Sequence, residues 1–143
     1  MNNTVPDQQT RDDSESNLPM TTWTSEELDR IGSADELAIA SLRRDGSLRK
    51  PVIIWVVRVG DDLFVRSGYG HTAAWYRGVK VRHEGRVDAG GIQKDVVFED
   101  AEPAAADAID AAYRVKYRRH GAQYVNSVTD AEARSTTIRI VPR

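Results

Sequence analysis

Residues Val52-Ile53-Ile54-Trp55-Val56-Val57-Arg58-Val59 form a nearly continuous β-branched run with one tryptophan in its middle. Side chains of this kind are stiff at χ1 and fit a pleated surface better than a helix. A run that does not alternate between apolar and polar predicts a central strand buried on both faces. Turn signals fence it on both sides: Asp45-Gly46 before it and Gly60-Asp61-Asp62 after it. Ahead of the first turn, Glu36–Leu42 alternates, with Leu37 and Ile39 on one face, and reads as a first strand. Beyond the second turn, Leu63–Arg66 reads as another. Two strand–turn–strand units within about 30 residues predict an antiparallel meander.

Shorter elements surround this meander. Thr24 or Ser25 can cap a helix with Glu26 and Glu27 in its first turn, Leu28 and Ile31 inward and Gly32 as its stop. Thr72–Gly78 reads as a short helix, Val79–His83 and Arg86–Asp88 as strands with a turn at Glu84-Gly85, and Gly90-Gly91 as a tight connection into a strand over Gln93–Glu99. Pro103 suits the first position of a helix. From there Ile109, Ala112, Tyr113, Lys116 and Tyr117 keep helical spacing up to Gly121. A further helical piece spans Gln123–Val128, Thr129 and Glu132 have capping-box spacing, and Thr136–Val141 alternates as a closing strand. The order predicts an α+β, mainly β protein built as a small antiparallel barrel with flanking helices. Residues 1–21 are polar, with too little apolar surface to offset ordering entropy, and are expected to be a disordered tail before a domain over residues 22–143.

Composition narrows the function. The 143 residues carry a net charge of −2, which argues against a general nucleic-acid binder. Cysteine is absent, so disulfides, thiolate catalysis and cysteine-based metal sites are excluded. His83 and His120 are isolated, and no metal-ligand spacing emerges. No stretch approaches the roughly 18 apolar residues of a membrane span, and no signal core precedes the domain. A soluble, cytoplasmic protein with a small-molecule ligand is the expectation.

The chemistry-bearing segment is Arg66-Ser67-Gly68-Tyr69-Gly70-His71, followed by Trp75-Tyr76. A strand ends in a cation, a hydroxyl and two glycines whose freedom at positive φ lets backbone N–H groups converge on an anion. A helix N-terminus next to them adds partial positive charge. An ordinary glycine-rich strand-to-helix turn has the same spacing. The segment is neither a P-loop nor a dinucleotide fingerprint, because the Lys-Ser/Thr ending and the third glycine are missing. His71 could donate to an anion or sit on the surface. Trp75 and Tyr76 could line a ring pocket or anchor the core. Arg49 and Lys50, just before Pro51, could hold a phosphate or be solvated hairpin cations. Ser67 has no His and acid at triad spacing. Asp107 and Asp110 early in the long helix, with Arg114, Lys116, Arg118 and Arg119 late, complement its dipole.

Asp45-Gly46-x-x-Arg49-x-Pro51, a strand, Arg66-Ser67-Gly68-Tyr69-Gly70 and then Trp75-Tyr76 resemble the FMN-binding split-barrel superfamily, with deazaflavin-dependent nitroreductases as characterised relatives. Over roughly Trp23–Arg143 the chain is more similar to an uncharacterised bacterial family, domain of unknown function 2255. That likeness rests on Ile54-Trp55-Val56-Val57, Arg66-Ser67, Trp75-Tyr76-Arg77, Gly85-Arg86, Ala89-Gly90-Gly91, Asp110-x-x-Tyr113-x-x-Lys116-Tyr117 and Pro142-Arg143. The resemblance implies a six-stranded antiparallel split β-barrel, a homodimer, and FMN or a deazaflavin at the subunit interface. It implies phosphate contacts from Arg49, Arg66, Ser67, Gly68 and Gly70, and a ring pocket shaped by Trp75 and Tyr76, with Tyr69 filling part of it. Hydride transfer by such a cofactor needs little side-chain chemistry. A barrel without cofactor, serving as a binding or scaffolding module, is the alternative. A haem-binding barrel would have His71 as its axial ligand.

Overall fold

A computed structural model describes residues 22–143; the expected tail over residues 1–21 lies outside the described residues. Helix α1 (Ser25–Ser33) opens the domain with the anticipated cap. Thr24 Oγ1 accepts the Glu27 N–H at 3.1 Å, and the Glu27 carboxylate accepts the Thr24 N–H at 2.9 Å. Gly32 does not stop the helix, which runs one residue further and is capped at Ala34.

The β-branched run is not one strand. It forms β2 (Val52–Ile54) and β3 (Val57–Val59), and neither is central. With β1 (Leu37–Ser41), β4 (Asp62–Val65), β5 (Glu84–Ala89), β6 (Ile92–Asp100) and β7 (Ile138–Pro142), they form one seven-stranded sheet in the order β2-β1-β5-β6-β7-β4-β3. Every pairing is antiparallel. β2 and β3 are the two edges, yet only Trp55 and Val56 separate them in sequence. The sheet must therefore curl until its edges nearly meet, which is a split barrel with seven strands where six were expected.

The break at Val56 has a local cause. The Tyr117 hydroxyl accepts the Val56 N–H at 3.1 Å and is shared between the carbonyls of Asp35 (2.8 Å) and Val56 (3.0 Å). Lys116 Nζ donates to the same Val56 carbonyl at 2.7 Å. The backbone groups that would continue a ladder are thus taken by side chains from the end of a helix.

A second difference follows β4. After a 3-10 turn at Gly70–Thr72, helix α2 covers Ala74–Arg82, so Val79–His83 is the end of a helix and not a strand. Tyr76 and Val79, one helical turn apart, supply its buried face. His83 ends it in the left-handed conformation, with its N–H on the Val79 carbonyl at 2.8 Å. Glu84-Gly85 is not a turn: Gly85 lies inside β5, where a Cβ would come within 2.1 Å of the Ala40 carbonyl. Gly90-Gly91 is the expected hairpin turn, at positive φ in both residues.

Helix α3 (Ala106–Lys116) follows a 3-10 turn begun by Pro103 and buries Ile109 and Tyr113, with Tyr117 just beyond its end. Helices α4 (Ala122–Asn126) and α5 (Ala131–Arg134) are short. The cap of α5 is Asp130, whose carboxylate accepts the Ala133 N–H at 2.8 Å. Thr129 instead turns its hydroxyl back to the Val125 carbonyl at 3.0 Å.

Strand alternation makes two cores. Leu63 and Val65 face the barrel interior with Leu37, Ile39, Val87, Val96, Phe98 and Ile140. Phe64 and Val57 face outward against Ile109, Tyr113 and Tyr117 of the α3 segment. Each fully buried aliphatic side chain here contributes about 1.5–3 kcal/mol relative to exposure.

Candidate functional site

The second core ends at an open slot of about 320 Å³. One wall is the edge strand β2 with Val52, Ile53, Ile54 and the adjoining Trp55. Tyr124, Ser127 and Val128, from α4 and the turn after it, also line the slot. Gly68, Tyr69, Trp75 and Arg66 complete the lining. Trp55 is held as a rigid plate: its ring stacks on Tyr117 at 4.0 Å between centroids and 5° between planes. At the mouth Ile53 is 57% exposed, Tyr124 56% and Tyr69 86%. No carboxylate is among the lining residues. An apolar, aromatic cleft with few polar groups suits a flat organic ring.

The expected site residues divide into groups. Gly68, Tyr69, Trp75 and Arg66 line the slot. Arg66 is 2% exposed, and its guanidinium is held by the chain itself. It pairs with Asp110 and donates to the carbonyls of Val128 at 2.9 Å and Ala106 at 3.2 Å and to Thr137 Oγ1 at 2.9 Å. Ser67 is fully buried; its N–H meets Thr136 Oγ1 at 2.9 Å and its hydroxyl has no hydrogen-bond partner. Gly70 and His71 stand one step further along the loop. The Glu132 carboxylate lies over Gly70, where a Cβ would fall 1.9 Å from its Oε2. Tyr76 is buried behind Trp75, edge-on to it at 6.0 Å and to His71 at 5.5 Å, with Lys80 Nζ 5.6 Å over its ring.

Arg49 and Lys50 are not in the slot lining. Arg49 borders a neighbouring cleft with Leu48, Pro51 and Arg86. Its Nε is buried and makes no hydrogen bond. It packs against Gly78, where a Cβ would lie 3.0 Å from that Nε and 2.7 Å from Ser41 Oγ. Lys50 is exposed.

The residues not foreseen are Val52, Ile53, Trp55, Tyr124 and Ser127 as walls, and Asp110 and Glu132 as the carboxylates facing Arg66 and Gly70. The β2 wall had a signal in the β-branched run, but that run pointed to burial. Tyr124 had none. A wider cavity of about 430 Å³ lies between the end of β6 and α3. Its two lining cations are already paired, Lys80 with Asp100 at 2.6 Å and Arg134 with Asp107 at 3.0 Å.

Beyond the slot, Lys116 is packed over Tyr117 at 5.0 Å. Burial pushes its ammonium down to about 8 from the ordinary lysine range. Burial also pushes the Tyr117 and Tyr113 phenols up. Among the described residues no group of three or more His, Asp or Glu side chains is arranged to hold a metal ion, and no helix is long and apolar enough to cross a membrane.

The model of the family DUF2255, described as an uncharacterized protein conserved in bacteria, matches residues 27–140. A comparison with curated proteins finds no match. Among solved structures the chain is similar to the haem storage protein HutZ of Vibrio cholerae, at 14% identity and a TM-score of 0.57, covering 83% of this chain and 89% of that one. A conserved hypothetical protein of Mycobacterium tuberculosis aligns at 11% identity and a TM-score of 0.58, with 87% and 82% covered. An FAD-binding protein of Mesorhizobium loti aligns at 11% identity and a TM-score of 0.51, with 85% and 89% covered. At these identities the likeness is one of fold.

Proposed function

The chain belongs to the bacterial family DUF2255, and on that premise we propose that it binds a planar redox cofactor, FMN or a deazaflavin, with the ring in the slot beside β2. The observation that carries the reading is the slot itself: Trp55 fixed flat by Tyr117, Trp75 and Tyr124 around it, and no carboxylate in its lining. Solved proteins of similar fold, described as haem storage and FAD-binding, support it as a class.

The residues fit the ring half directly. Val52, Ile53, Trp55, Trp75 and Tyr124 would hold its faces, and Tyr69 would cover its open end. For a phosphate the supporting feature is Arg49, whose buried Nε has no partner, with Lys50 beside it. Arg66 and Ser67 position the loop from beneath, and Gly68 lets it approach the ring. Bound there, a flavin or deazaflavin would supply hydride transfer. The chain's own residues bind, orient and exclude water. The exposed apolar edge Val52–Ile53 makes a homodimer, with the slot near its interface, part of the same reading.

Titration of the purified protein with FMN and with a deazaflavin tests it. Saturable quenching of ring fluorescence in the micromolar range is expected, weakened by Trp75→Ala and, for the phosphorylated forms, by Arg49→Ala. Absence of binding at high micromolar concentration of either cofactor rules the reading out. It would then leave a cofactor-free binding module of the same fold, which the pairing of Arg66 with Asp110 favours.

A further inference from the structure

Basic side chains crowd the end of α3 and the turn after it: Arg114, Lys116, Arg118, Arg119 and His120. Among the described residues a single carboxylate answers them. Asp35 pairs with Arg119 and lies 3.7 Å from His120. Lys116 donates to the Val56 carbonyl instead. Arg114 and Arg118 are exposed and meet no carboxylate among the described residues. They stand four residues apart at the helix end, a spacing at which like charges repel. Val115 lies between them and is 70% exposed. A basic face with an apolar centre is therefore left open.

The same chain carries a complement to it. Residues 1–21, outside the described residues, hold Asp7, Asp12, Asp13 and Glu15 against Arg11 alone. They also precede the family match, which starts at residue 27. This stretch joins the domain at Trp23, whose Nε1 donates to the Ile140 carbonyl at 2.9 Å. From there α1, nine residues and about 14 Å long, leads toward Asp35, the carboxylate beside the basic face. The stretch from Asp12 to Thr22 spans about 35 Å when extended, more than α1 requires. We propose that Asp12-Asp13-Ser14-Glu15 docks on the face made by Arg114, Val115, Arg118 and Arg119 as an intramolecular acidic ligand. The tether supplies a local concentration on the order of millimolar, so exposed ion pairs that are weak one by one suffice. The attraction weakens with salt, as the screening length shortens from about 10 Å at 0.1 M to about 3 Å at 1 M. The face adjoins the slot through His120, whose ring lies 5.4 Å from that of Trp55. The docking does not depend on what the slot binds.

The chain has no cysteine, so Ser14→Cys carries a single nitroxide label in the full-length protein. Paramagnetic broadening of backbone amides is then read by NMR. At low salt the amides of residues 114–120 should lose about half their intensity or more, and regain it at about 0.5 M salt. The same recovery is expected when Asp12→Asn, Asp13→Asn and Glu15→Gln are combined, which leaves the domain untouched, and when Arg114→Gln is combined with Arg118→Gln. The proposal is overturned if these amides are not broadened, if broadening is strongest at the Arg43–Lys50 hairpin, or if it survives both high salt and the loss of the acids. It is also overturned if the broadening appears in a mixture of spin-labelled chains with isotope-labelled, nitroxide-free ones, since the contact would then run between molecules.

Discussion

Arg66 is answered by a carboxylate that its own stretch of sequence does not contain. Strand, cation and glycine loop are contiguous in sequence, and they fold as expected at the end of β4. The carboxylate that answers the guanidinium lies 44 residues away, at Asp110. In sequence Asp110 reads only as an acid early in a helix. With both groups buried, removing one leaves an uncompensated charge, so Asp110→Ala should cost about 3–5 kcal/mol. Equilibrium denaturation in urea, compared with the exposed control Asp107→Ala, measures it. A loss no larger than the control's would mean that the pair is not a buried anchor.

Lys116 gives a pH dependence with a definite sign. Its folded value of about 8 lies below the ordinary lysine value of 10.5. Between these values the unfolded chain binds the proton and the folded chain does not, so stability rises with pH across that window. Below pH 8 both states are protonated and the contribution is flat. The Tyr113 and Tyr117 phenols, pushed up by burial, act oppositely once the pH passes their unfolded value of 10. The difference between wild type and Lys116→Met in thermal midpoint should therefore change in favour of wild type from pH 8 to 10. A constant difference would show that Lys116 is not desolvated in solution.

At the scale of elements, most of the chain declares itself. The capping box of α1, the glycine turn between β5 and β6 and the apolar stripe of α3 are local patterns, and each appears where the sequence puts it. The failures are where a local pattern meets a distant group. Val52–Val59 has strand propensity throughout, but the Tyr117 hydroxyl and Lys116 ammonium take the backbone of Val56 and divide it. Val79–His83 is β-rich, yet Tyr76 and Val79 find the barrel interior only on one helical face. Gly85 looks like a turn and instead lies within β5, where a side chain would run into the backbone of β1 at Ala40 and Ser41. Gly85→Ala should disrupt this pairing, with the Ala40 carbonyl only 2.1 Å from the new Cβ. Its unfolding midpoint should fall well below that of Gly60→Ala, whose Cβ meets nothing within 4 Å and which bears only the strain of a φ of +61.

For the whole molecule, the curl of the sheet leaves β2 as an edge with Val52 and Ile53 turned to solvent, beside Tyr69 and Tyr124. An exposed apolar edge invites pairing. If a second copy covers it, Ile53→Lys should weaken association about tenfold, as loss of one buried aliphatic anchor does. Sedimentation velocity across a concentration series reads this, and a wild type that stays monomeric throughout would dismiss the homodimer.

The sequence by itself determined the class of fold, most element positions and the family. These follow from periodicity, caps and glycine turns, which act over a few residues. The tertiary structure decided which groups answer one another: Asp110 with Arg66, Glu132 over Gly70, Tyr117 at Val56 and Tyr124 in the same slot as β2. Those pairings depend on how the sheet curls and where helices far along the chain come to rest, and charge or propensity at one position carries no record of its partner's place.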